Sequence, residues 1–141
     1  MPSTLGSAIG ASASALSVER ARVEVAVSNL ANAESTRGPN GEPYRRRDVL
    51  IEPDTGNGFG DALGHAVGVK VAGIVEDQTP FRKVYNPSHQ DADADGNVSL
   101  PNVDSHQEML DLVSASRAYQ ANLTAINVIR DMLQKALDLG R

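Results

Sequence analysis

The chain has 141 residues, 13 basic against 18 acidic side chains, five aromatics, and neither Trp nor Cys. That length fits one domain, a net charge of -5 argues against a nucleic-acid or anionic-membrane binder, and no run of 18 uninterrupted apolar residues offers a membrane span. The lack of Cys excludes disulfides, thiolate metal sites and a Cys nucleophile together.

Apolar residues make up 40% of the chain, but 18 of them are Ala, so any core is assembled from small pieces. Although 14 of the first 33 residues are Ala or Ser, the first Arg is Arg20, and Leu5, Ile9 and Leu16 are spaced rather than contiguous. A cleaved secretory signal is therefore not expected.

Residues 1–33 carry Ile9, Leu16, Val23 and Leu30 seven apart, with Leu5, Ala13 and Val27 at neighbouring helical spacing. One amphipathic helix is predicted over 5–33, capped by Ser3 or Thr4 and ended before Gly38-Pro39. Residues 34–103 hold six of the seven Pro and alternate with period two. Strands are predicted at 44–51, 67–75 and 81–85, with a dense turn from Gly38 to Pro43 and a Gly-rich loop from Thr55 to Gly64.

From 104 to 141 the helical period returns. Met109, Leu123 and Leu137 share one heptad position and Leu112, Tyr119, Ile126 and Leu133 another. Ser105 and Glu108 have capping-box spacing, Asp104 is an alternative cap, and Gly140 stands where a C-terminal glycine cap would. The predicted class is α+β: two long terminal helices paired antiparallel as a coiled-coil-like bundle (1–33 with 104–141), carrying a small β-rich arm (34–103). At ~1.5 Å per residue the last helix reaches roughly 54 Å, against a diameter of roughly 37 Å for a compact domain of this length. Its excess length and second apolar set ask for partners outside the chain.

Candidate chemistry is sparse. Asp91, Asp93 and Asp95 followed by Gly96 copy the first half of a calcium loop, but Pro101 and Asn102 stand where the second half needs its carboxylate. A solvated turn is the expected reading, with a calcium module as the rival. Arg45, Arg46 and Arg47 point to alternate faces of a strand and read as a solvated or subunit-contacting edge rather than a phosphate site. Gly56 to Gly60 lacks the strand and helix a dinucleotide loop requires and reads as a flexible loop. His65, His89 and His106 are scattered; a hydrolase built on His89 is a second rival, without a nucleophile elbow to support it.

Two stretches go further than generic helix. Ser28 to Thr36, with Asn29, Leu30 and Asn32, resembles the N-terminal signature of the bacterial flagellar axial (rod and hook) proteins. Leu100, Pro101, Asn102, Val103 and Asp104, then Glu108-Met109, then Ser114 to Asn122 with Arg117, Tyr119 and Gln120, resemble its C-terminal counterpart. The short length, Pro43 to Arg46, Asn86 to Gly96 and the closing Leu137 to Arg141 are similar to proximal-rod members of that family. The resemblance implies a structural rod subunit, not an enzyme, without cofactor or metal. Its implied partners are copies of itself, other rod proteins, a membrane-ring adaptor and, in transit, the flagellar type III export apparatus, with no nucleic acid and no membrane insertion. Another rod subunit of the same family is the closest alternative. Subunit packing is expected from Ile9, Leu16, Val23 and Leu30 on the first helix, and Met109, Leu112, Tyr119, Leu123, Ile126, Leu133 and Leu137 on the last.

Overall fold

A computed structural model describes residues 4–54 and 68–139 of the chain. The expected Ser3 cap, the Gly56–Gly60 loop, His65, Val67 and the Gly140 cap lie outside these residues. The elements run α1 (Thr4–Ala31), β1 (Arg47–Asp54), β2 (Gly68–Glu76), β3 (Arg82–Tyr85), β4 (Asn97–Leu100) and α2 (Ser105–Leu139). The class is α+β, as the periodicities predict.

Both helices end where their sequence says they must. Asp104 accepts hydrogen bonds at its Oδ1 from the backbone N–H of His106 at 2.9 Å and of Gln107 at 3.4 Å, satisfying donors that the first turn of α2 leaves open. Asp104 is thus the cap. The Ser105–Glu108 box does not form, because Glu108 is engaged elsewhere. At the other end of α1, Asn32 folds its side-chain amide back onto the Ser28 carbonyl at 2.8 Å and takes the Ser35 hydroxyl on its oxygen, closing the helix into a turn.

Two separate two-stranded sheets follow. β1 pairs with β2, and β3 pairs antiparallel with β4 in the register Arg82 to Leu100, Lys83 to Ser99, Val84 to Val98 and Tyr85 to Asn97. β4 is a strand beyond the three predicted. Its alternation of Asn97 and Ser99 with Val98 and Leu100 is the period-two signal, carried on only four residues. Pro101, buried, stops it, since proline has no N–H to extend a ladder. Gly96 turns the chain at φ 78°, and a side chain there would collide with the Tyr85 ring and Pro87.

Packing divides the chain into two compact units, each drawing on both helices. One takes Met1–Ala21, Leu50–Gly73 and Ser114–Arg141; the other takes Arg22–Val49 and Ile74–Val113. In the first, Val18 and Ala115 are buried, and Ser14 roots β2. The Ser14 hydroxyl donates to the Ala11 carbonyl at 2.8 Å and accepts from the Val69 N–H at 3.1 Å. A Cβ on Gly68 would lie 2.6 Å from that hydroxyl oxygen, so only glycine allows the approach. In the second unit the buried apolar residues are Ala26, Ala33, Val98, Pro101 and Val103. Apart from Pro101, every buried apolar side chain among the described residues is Ala or Val, in keeping with the Ala-rich composition.

Candidate functional site

The most deeply buried large side chains of the second unit are polar: Asn29, 1% exposed, and Glu108, 2% exposed. Burying such groups costs several kcal/mol unless each is hydrogen-bonded. Asn29, in the last turns of α1, uses its whole inventory. Its amide nitrogen donates to the Arg47 carbonyl at 2.8 Å and to Glu108 Oε2 at 2.9 Å. Its oxygen accepts from the Arg47 N–H and from the Tyr44 hydroxyl, each at 2.9 Å. Two donors and two acceptors are filled, which is all an Asn can offer.

Glu108, one turn into α2, completes the joint with its other oxygen, which takes Arg46 Nε at 2.6 Å. The Arg46 guanidinium also faces Asp48 at 3.5 Å and Asp111 at 3.6 Å. Burial works against its charge, but Glu108, helped by Asp48 and Asp111, more than offsets that and holds Arg46 above the usual guanidinium value. This corrects the reading of Arg45 to Arg47 as a solvated edge. Arg46 turns inward, Arg45 stacks on Phe81 at 4.4 Å, and Arg47 reaches Glu76 at 3.4 Å and lies over Tyr44. Asn102 then ties the far side. Its oxygen accepts the Arg46 N–H at 2.8 Å, while its nitrogen donates to the Asp77 carbonyl and to the Thr79 hydroxyl at 2.8 Å.

These bonds explain why β1 begins at Arg47 and not at the expected 44. The Arg46 and Arg47 N–H groups are spent on Asn102 and Asn29, and the Tyr44 N–H on the Ser35 carbonyl, so no ladder can start earlier. No buried side-chain nitrogen or oxygen among the described residues lacks a partner.

A second clasp lies nearby in the same unit. Thr36 donates to Asp91 Oδ2 at 2.8 Å, and Arg37 pairs with Asp91 Oδ1 at 3.3 Å. His89 Nδ1 accepts the Asp91 N–H at 3.1 Å. Asp93 Oδ1 accepts the N–H groups of Asp95 and Asn97, closing its own turn. The Asp91 and Asp93 carboxylates of the calcium-like pattern therefore serve different partners, and among the described residues no group of three or more His, Asp or Glu converges on a common point.

The sequence-predicted residues fall into two sets. Asn29, Asn32, Thr36, Pro101 and Asn102 come together in the second unit, whereas Arg117 and Gln120 are exposed on α2 and Asn122 donates to the Ala118 carbonyl at 3.0 Å. Of the packing residues, Ile9, Leu16, Val23, Leu30, Leu112, Ile126 and Leu133 are half-buried, while Met109, Tyr119, Leu123 and Leu137 are exposed. Tyr44, Arg46 and Glu108 carry no sequence signal of their roles. Leu110, 72% exposed, and Val128 lie off the expected stripe and add a further apolar face to α2.

Comparison with known proteins adds a separate line. The family described as flagellar basal body rod FlgEFG protein C-terminal matches residues 94–139, which span β4 and all of α2. The chain is 47% identical over 128 residues to the flagellar basal-body rod protein FlgC of Salmonella typhimurium, covering 91% of this chain and 92% of that one. It is 45% identical over 145 residues to FlgC of Bacillus subtilis, covering 94% and 96%. To FlgC of Borreliella burgdorferi it is 39% identical over 145 residues, covering 94% and 95%.

Proposed function

This chain belongs to the FlgC family of flagellar basal-body rod proteins, and from that premise we propose how its geometry serves the rod. It is a structural subunit of the flagellar basal body and assembles with other rod components. The two helices pack against those of neighbouring subunits, and the segment 34–103 braces adjacent subunits as an outer arm. Torque passes through the resulting side contacts and not through any chemical step, so the protein works without enzymatic activity.

The single observation that carries this reading is the apolar surface of α2. Met109, Leu110, Val113, Tyr119, Leu123, Val128, Met132, Leu137 and Leu139 are all exposed in the isolated chain. Monomeric proteins rarely leave so many large apolar groups on one element uncovered, and removing them from water stabilises an assembly by about 25 cal/mol per Å². Copies of this chain and other rod subunits are the natural cover for a family member in the basal body. A membrane-ring adaptor at the base and the type III export apparatus in transit complete the partners we assign.

Leu123→Asp tests the reading. Exposed, it leaves the subunit folded and expressed but removes it from purified basal bodies and abolishes swimming. Normal motility in that strain overturns the packing role of α2.

A further inference from the structure

We infer that the buried Asn29–Glu108–Arg46 joint acts as a registration device, fixing the axial offset of α1 against α2 rather than supplying net stability. Of the buried apolar residues of the second unit, Ala26, Ala33, Val98, Pro101 and Val103, only Ala26 lies on a helix. With Val23, Leu30 and Leu112 only half-buried, few large helix side chains are locked into holes there, and sliding one helix by a turn, about 5.4 Å, costs less than in a core of large interlocked residues. Size and shape alone therefore fix the offset only weakly.

The polar joint does choose it. Asn29 Nδ2 donates to Glu108 Oε2 at 2.9 Å, and Arg46 Nε donates to Glu108 Oε1 at 2.6 Å. Asn29 simultaneously binds the N–H and carbonyl of Arg47, so its place is set by fixed backbone and not by another mobile side chain. A slip of one turn breaks the Glu108 contacts, leaves its buried carboxylate without partners and strips Arg46 and Asn29 of their shared acceptor, at a cost of several kcal/mol. Buried ionic groups are often no better for stability than apolar groups of similar volume, so the joint's worth lies in the penalty it imposes on wrong offsets.

The test uses the full chain. It has no cysteine, so introduced thiols label cleanly. Nitroxides at Val27 and Gln107, one exposed position on each helix within the second unit, report the offset by dipolar EPR. The otherwise unchanged chain gives one narrow distance. The triple variant N29L/R46M/E108M, in which the Arg47 backbone and the Tyr44 hydroxyl also lose Asn29, has a lower thermal midpoint and gives a broadened or two-peaked distribution displaced by about 5 Å, one helical turn. Glu108→Gln, which preserves shape and the Asn29 contact, keeps the narrow peak. A single unshifted peak in the triple variant overturns the inference, whatever its midpoint. Should the triple variant fail to fold, the lone substitution Asn29→Leu supplies the same readout, and an unshifted peak there overturns the inference equally. The spectroscopy is done on the free subunit, so its outcome is independent of the rod-packing reading, which stands or falls on Leu123→Asp.

Discussion

Along α1 the exposed positions Gly6, Gly10, Ala13, Ser17, Arg20, Glu24, Val27 and Ala31 succeed one another at steps of three and four, and Val27 is the one large apolar side chain exposed on that helix among the described residues. Along α2 nine large apolar side chains are exposed. The first helix keeps Ile9, Leu16, Val23 and Leu30 at least half covered by its own subunit and, Val27 apart, exposes small and charged residues. The second carries apolar surface on more than one side. On the packing proposed above, the contrast makes α2 the larger apolar contributor to subunit contacts and α1 the smaller, and α2 lies within the matched family region, residues 94–139.

The sharpest way to break this comparison is a charge on the outward face of α2. Leu110→Asp sits at 72% exposure, so the free subunit's stability should change by no more than about 0.5 kcal/mol. Incorporation into rods should nevertheless be lost outright, scored by basal-body immunoblot and swimming. Equal loss of fold and assembly, seen by circular dichroism, would erase the distinction between the helices.

Next in size is the inward face of the same helix. Glu108→Ala strips Arg46 and Asn29 of their shared acceptor and should destabilise by about 3–5 kcal/mol, lowering the thermal midpoint by roughly 10 °C or more. Together, Leu110 and Glu108 make α2 two helices in one. Its first turns hold a buried joint and its outer face carries the apolar surface proposed above to meet other subunits, and a midpoint for Glu108→Ala unchanged within error contradicts the joint.

A smaller effect tests α1 as the holding helix. Gly68→Ala places a methyl 2.6 Å from the Ser14 hydroxyl oxygen, which must swing away and release the Val69 N–H. Overpacking of this kind costs about 1–3 kcal/mol. Ser14→Ala loses the same bond, so the two substitutions together should cost clearly less than their sum in a double-mutant cycle. Strict additivity in urea titrations would separate the hairpin's root from α1.

How much of this was legible in the sequence depends on the range of the interaction that sets it. The helices were legible almost to the residue, because period and caps are local, and so were β2 and β3. The start of β1 was not, since Asn29 and Asn102 claim the N–H groups of Arg47 and Arg46 from 18 and 56 residues away. Asn29, Asn32, Thr36 and Asn102 stood out through the family motif, but a motif says which residues matter and not what they touch. Arg46 looked like one of three equivalent arginines, and Glu108 like half of a capping box. Both identities are decided by a pairing across 62 residues that no local pattern encodes.

The mildest prediction concerns acid. Asp77 lies in the turn that Asn102 clamps, and its carboxylate accepts the Thr79 N–H at 2.8 Å. That backbone bond, with help from the Thr79 hydroxyl and against slight desolvation, lowers its pKa below the ordinary 3.8. A carboxylate held below its unfolded value contributes stability that is present above the unfolded value and is lost as the pH falls through the folded one. Arg46 is raised instead, so it keeps its own proton throughout the acid range. Acid unfolding followed by circular dichroism should therefore begin at the same pH in Asp77→Asn but fall less steeply below 3.8, whereas Glu108→Ala should lower the whole curve. A Asp77→Asn curve that merely shifts in parallel would mean the turn holds by shape alone, and the clamp from Asn102 would then be enough to set the β-arm's place beside the joint.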